Sequence, residues 1–139
     1  MAVQGEPVRK RPGVLWHIGV WFPVVFIMAG IFGASSLPAS DIPSLFSFQD
    51  VIFHAIIYAL LGAAFYHALV MTRAGAGAGW VCILATVVFC TLYGVSDEFH
   101  QSFIPGRCAT GWDVLTDFIG SFCGAVTAAL LTNGKNKSV

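Results

Sequence analysis

The sequence predicts an all-α integral membrane protein, a four-helix bundle with both termini in the cytoplasm. Three observations carry that prediction. The chain is 57% hydrophobic and 10% charged, with a mean hydropathy of +0.79, whereas soluble domains carry about a quarter charged residues. Cutting it at its charges and turn residues leaves four apolar windows near the roughly 20 residues that cross the hydrocarbon as a helix. The basic residues, Arg107 apart, fall on alternate connections, the pattern left by positive charge retained in the cytoplasm. Four spans with their turns use up the 139 residues, so residues 1–139 form a single membrane domain.

Residues 1–13 form a cytoplasmic tail containing Arg9, Lys10 and Arg11, and the first helix covers 14–33. A cleaved signal peptide is the competing reading, because a basic cluster precedes an apolar run that ends in "GASS". The run exceeds the usual apolar region of such a peptide, which favours a retained helix. The connection "SSLPASDIPSLFSFQD" follows, with two prolines and polar turn clusters that place it on the surface, with an interfacial turn around "SLFSF". The second helix covers 51–71, and "TRAGAGAGW" makes a tight hairpin to the third, 80–96. The fourth covers 112–132 and contains Asp117. The short third window and the interrupted fourth are both counted as helices, because a lone helix end in lipid leaves backbone groups unsatisfied.

This topology puts Arg9, Lys10, Arg11, Arg73, Lys135 and Lys137 on the cytoplasmic side. Asp41, Asp50, Asp97, Glu98, Asp113 and Asp117 lie in or beside the two outer connections, so the polar chemistry faces outward, toward periplasm or exterior. Zero formal net charge gives no reason to expect a nucleic-acid partner. Of the four cysteines, Cys82, Cys90 and Cys123 sit in spans and Cys108 in an outer loop, a spacing that argues against a disulfide framework. Gly120 and Gly124 on helix four, and Ala29/Gly33 and Gly30/Ala34 on helix one, have the four-residue spacing of close helix packing. One such face is a candidate for a homodimer contact.

The polar residues fall on helical stripes. Asp97, His100 and Gln101 share one face of helix three, continued one turn deeper by Tyr93, while Glu98 points elsewhere. Asp50, His54 and Tyr58 align on helix two, and Asp113 and Asp117 on helix four. Ionisable groups at membrane depth turn toward a bundle interior or a water-filled cavity, so the stripes should converge on one outward-facing pocket with Arg107 at its rim. Arg107 is expected to pair with Asp97, Glu98 or Asp113, or to grip an anion of a ligand. Thr110 and Asp113 have capping-box spacing, and Pro105-Gly106 reads as a turn. His17 and His67 read as interfacial residues near inner helix ends.

Alternative uses of these residues remain open. The cluster can be a scaffold that ties helices together. His54, His100 and Asp97 are candidate metal ligands from different helices, with no paired spacing such as His-x-x-x-His to support them. A serine triad lacks its strained elbow around Ser96 or Ser102.

"DVIFHAIIYALLG" and "YGVSDEFHQSFIPGRCATGWDVLTDFIGSFCG" together resemble the VanZ-like family of small bacterial membrane proteins, named for a protein associated with teicoplanin resistance. The resemblance extends from Ser35 and Ser36 to Gly124. It marks His54, Tyr58, Asp97, Glu98, His100, Gln101, Pro105, Gly106, Arg107 and Asp113 as the family's polar signature. Val51 stands where the family often has Lys, and Asp117 where it often has Asn.

Three functional expectations follow. The first is a protein that binds or remodels an amphiphilic envelope ligand, an envelope lipid or a lipoglycopeptide. His54, Tyr58, Asp97, Glu98, His100, Gln101, Arg107, Asp113 and Asp117 would then line its ligand site, among membrane lipids as partners. The second is an enzyme on such a lipid, with His54, Asp97, Glu98 and His100 as catalytic candidates and a metal as an optional cofactor. The third, a proton- or ion-coupled transporter, is weakest because the inner halves of the helices carry no matching polar path.

Overall fold

The computed structural model describes residues 13–72 and 79–135. Among them all regular structure is helical: α1 Val14–Ser35, a 3-10 turn Ala39–Asp41, α2 Gln49–Thr72, α3 Trp80–Gln101 and α4 Gly111–Lys135. All four helices are long and apolar enough to cross a membrane. The predicted glycine-alanine hairpin falls almost wholly on residues 73–78, outside the described residues, as do Arg9, Lys10, Arg11, Arg73 and Lys137.

The helix starts agree with the apolar windows to within two residues, and the ends differ most at α3. That helix runs on to Gln101, five residues past the window ending at 96. Its last turn is too polar to read as membrane, yet Asp97, Glu98 and Gln101 are all buried there. Pro23 lies inside α1, and a span tolerates the missing N–H when the freed carbonyl is met locally.

α2 is the central helix, in contact with each of the other three. α4 packs on α2 and α3, α1 packs on the same two, and α1 and α4 do not touch. The α2–α4 seam is the tightest. A Cβ on Gly120 would stand 2.6 Å from the Ala55 carbonyl oxygen, and one on Gly124 would collide with the Ala59 carbonyl. Gly62 of α2 meets the Ser121 backbone in the same way. Small residues at these positions let two backbones approach where lipid offers no hydrophobic drive for association.

α1 behaves differently. A Cβ on Gly30 or Gly33 would meet nothing within 4 Å, and Ala29 and Ala34 are exposed beside them. The small residues of helix one therefore make no close seam among the described residues. α1 is held instead by Val24 and Ile31, which enter a core with Tyr58, Leu61, Phe65 and Cys90, and by an edge-on contact of Trp21 with Phe65.

The α1–α2 and α3–α4 connections meet. The Ala39 amide donates to the Pro105 carbonyl at 3.2 Å, and Gly106 takes φ +75°, where a Cβ would press on that of Ala39. This is a position at which glycine is required. Before α2 the chain turns through Phe48 at φ +63°. There Gln49 clasps the approach: its side chain accepts from the Leu45 amide at 2.7 Å and donates to the Pro43 carbonyl at 3.0 Å.

Candidate ligand-binding cleft

Polar residues form two linked groups at the end of the bundle that carries the α1–α2 and α3–α4 connections. The first joins α1 to α3. Ser35 donates to Asp97 Oδ2 at 2.7 Å, and Gln101 Nε2 donates to the same oxygen at 2.9 Å. Ser36 Oγ lies 3.1 Å from His100 Nε2, and the His100 ring stacks on Phe32. One turn deeper, the Tyr93 hydroxyl donates to the Met28 carbonyl at 2.7 Å. The stripe of α3 therefore faces α1.

The second group joins α2, α4 and the end of α3. His54 Nδ1 lies 2.9 Å from Asp117 Oδ1, and Asp117 is fully buried. Glu98, on the other side of α3, accepts from the Thr110 amide at 2.9 Å. Thr110 donates to Asp113 Oδ2 at 2.8 Å, and the Asp113 amide donates back to the Thr110 hydroxyl at 3.2 Å. The expected cap of α4 thus forms, satisfying amides that the helix start leaves open.

Of the two expectations for Arg107, the ion pair with Asp97, Glu98 or Asp113 is not formed. Among the described residues it pairs with no carboxylate, and donates instead from Nε to the Leu37 carbonyl at 3.2 Å and from Nη2 to the Ala34 carbonyl at 3.0 Å. These are carbonyls at and just past the end of α1, that of Ala34 also accepting from the Leu37 amide at 3.2 Å, and such a helix end attracts a cation. A guanidinium has five donors in a planar fork, so two such bonds leave it able to grip an anion as well.

Between α1 and α2 lies a cleft of about 470 Å³. Its walls are largely apolar, with Ile31, Leu37, Phe53, Ile56 and Ile57 among them, and its polar end carries Ser35, His54, Tyr58, Asp97, Gln101 and Arg107. Gly30, Ala34, Phe53 and Ile56 are exposed along its flanks, which leaves the cleft open sideways between the helices. A second cleft of about 690 Å³ lies under the connections, lined by Gln49, Asp50, Thr110 and Asp113 among others. His54, Asp50, Gln101 and Arg107 belong to both clefts.

Two oxygens at the polar end of the first cleft lack partners in the chain: Asp97 Oδ1, on a residue 4% exposed, and the Tyr58 hydroxyl, on a residue fully buried. Glu98 Oε1 and Asp117 Oδ2 are likewise buried and unpaired. Leaving such atoms unmet costs roughly 1–3 kcal/mol each, so an unmet acceptor facing a cleft points to a ligand or water.

A family model for VanZ/LLP1 matches residues 15–132. The chain belongs to the VanZ/LLP1 family. The matched span takes in all the paired polar residues described above. No curated protein and no solved structure matches the chain.

Within this family member, Asp97, Gln101, His54, Tyr58 and Arg107 share the first cleft, whereas His100 lies against Ser36 and Phe32, and Glu98 against the α4 cap. Among the described residues, no three His, Cys, Asp or Glu side chains stand where they could jointly hold a metal ion. His54, His100 and Asp97 each bond a different partner. Sequence reasoning gave no role to Ser35, Ser36 or Gln49. Paired hydroxyls at the end of an apolar run, opposite a polar turn of α3, were the available signal for the first two.

Proposed function

We propose that this chain binds an amphiphilic molecule of the bacterial envelope in the cleft between α1 and α2, with the polar part at the outer face of the cytoplasmic membrane. One observation carries the reading. Apolar walls open sideways at membrane depth lead to an end where Asp97 Oδ1 and the Tyr58 hydroxyl lack partners and Arg107 stands at the rim. Ligand sites are mostly apolar with a few convergent polar groups, and an amphiphile entering from the bilayer meets both parts in order. The alternation of basic residues along the sequence supports an orientation with both termini cytoplasmic.

An envelope lipid and the acyl tail of a lipoglycopeptide both fit this chemistry. The second would give the chain a role in teicoplanin-type resistance by holding or displacing the drug at the membrane. The test is thermal stabilisation of purified protein by a panel of amphiphiles. Stabilisation by anionic members that Arg107→Ala reduces supports the reading, and indifference to every amphiphile contradicts it.

A second reading rests on the His54–Asp117 pair. A carboxylate on one ring nitrogen fixes the orientation of the imidazole, the arrangement of a general base, and His54 borders both clefts. An enzyme acting on the bound lipid would lose turnover on His54→Gln while still binding it. The scaffold reading draws on the same bonds, and is favoured if such variants unfold and nothing binds.

A further inference from the structure

The relation between Asp97 and Arg107 narrows the ligand. Asp97 Oδ2 accepts from both Ser35 and Gln101, which leaves the buried Oδ1 as the unpaired acceptor of a carboxylate that lines the cleft. Arg107 bonds the carbonyl of Ala34 while Asp97 bonds the side chain of Ser35. Those two α1 residues are adjacent, with α-carbons about 3.8 Å apart. Both side chains thus contact the last turn of α1 and line the same cleft. Asp97 is the deeper of the two, since it lies in the last full turn of α3 whereas Arg107 lies in the connection beyond it.

A ligand complementary to this pair carries a hydroxyl or N–H donor next to an anion, with the donor on the side of its tail. The size of the cleft limits the tail. At roughly 30 Å³ per non-hydrogen atom, a water molecule's share of liquid volume, the whole cleft of 470 Å³, polar end included, takes about 16 such atoms. That is too few for two acyl chains.

Resting on the amphiphile reading above, we infer that the site selects a monoacyl glycerophospholipid, its single chain between α1 and α2, its free glycerol hydroxyl donating to Asp97 Oδ1 and its phosphate held by Arg107. A diacyl lipid fails on two counts. Its second ester removes the donor, which leaves Asp97 Oδ1 buried against an acceptor, and its second chain exceeds the space. The sites of this kind that discriminate most sharply are those whose buried polar atom is left unpaired by the wrong ligand.

The test uses the full chain in nanodiscs and four probes: a 1-acyl-2-hydroxy-glycero-3-phosphate, its 2-O-methyl ether, the 1,2-diacyl compound and tail-free glycerol 3-phosphate. A hydrogen bond to an ionised partner is worth roughly a factor of ten or more in affinity. The hydroxyl compound should therefore bind at least about tenfold tighter than the ether, the ether should bind no weaker than the diacyl lipid, and the tail-free probe should bind weakest. In Asp97→Asn the preference for hydroxyl over ether should shrink below about threefold. Equal affinity for hydroxyl and ether in the unmodified protein overturns the inference and leaves the amphiphile reading standing. Failure of every probe carrying a tail overturns both, and tight binding of glycerol 3-phosphate alone would mark a site for a soluble phosphate. The comparison of hydroxyl and ether needs no variant, so misfolding of Asp97→Asn does not shield the inference.

Discussion

Gly94 of α3 and Asp117 of α4 are fitted to one another: a Cβ built on Gly94 would lie 2.5 Å from Asp117 Oδ2. The absence of a side chain at 94 makes the room in which a fully buried carboxyl stands beside His54. Gly94→Ala should therefore push Asp117 away from His54 and lower stability by about 1–3 kcal/mol, the usual cost of overpacking. Thermal unfolding in detergent measures it. The double variant Gly94→Ala/Asp117→Ala should recover part of the loss, because the colliding atom is gone.

The two glycine faces should respond in opposite ways. Gly120→Leu meets the Ala55 carbonyl and must separate α2 from α4, whereas Gly33→Leu enters open space on α1. We expect the first to abolish a cooperative melt and the second to leave the melting temperature within a few degrees. Equal damage from both would show that α1 has a close partner in the membrane, such as a second copy of the chain.

Ser35→Ala removes one of the two donors to Asp97 Oδ2. Hydrogen bonds between membrane helices average roughly 0.6 kcal/mol, so the stability change should be small. The ligand should feel it more, since Oδ2 then competes with Oδ1 for the incoming donor. A melting temperature that is nearly unchanged, with weaker stabilisation by added amphiphile, is the expected pair of results.

Arg107→Lys separates two roles of this side chain. Lysine keeps a positive charge but loses the planar fork that spans the Leu37 and Ala34 carbonyls. Affinity for an anionic amphiphile should fall less in Arg107→Lys than in Arg107→Ala, and added salt should weaken the difference between them. Identical affinities in all three proteins would remove Arg107 from the ligand site.

How far the sequence reveals this molecule depends on which physical property each part expresses. The spans are legible because apolar length is a property of a single segment. The last turn of α3 is not, since Asp97, Glu98 and Gln101 are acceptable there only through Ser35, Thr110 and the burial that neighbouring helices provide. The stripes on α2, α3 and α4 could be placed at one depth, but their division into an α1–α3 group and an α2–α4 group depends on helix rotation, which spacing leaves undetermined. The cap of Thr110 and Asp113 was legible because both partners lie within one turn. The contacts of Arg107 within the chain were not legible for the opposite reason: its partners are backbone carbonyls, which no residue name advertises.

The central claim is that the α1–α2 cleft holds an amphiphile, and blocking it tests that most directly. Gly30 and Ala34 line the cleft, and Gly30 has open space around it, so Gly30→Phe/Ala34→Phe should fill the cleft without disturbing a packed seam. Native mass spectrometry of protein extracted gently from bacterial membranes should show a bound amphiphile on the unmodified chain and none on the double variant, with similar melting temperatures. The same adduct at the same occupancy on both, or none on either, would contradict the account.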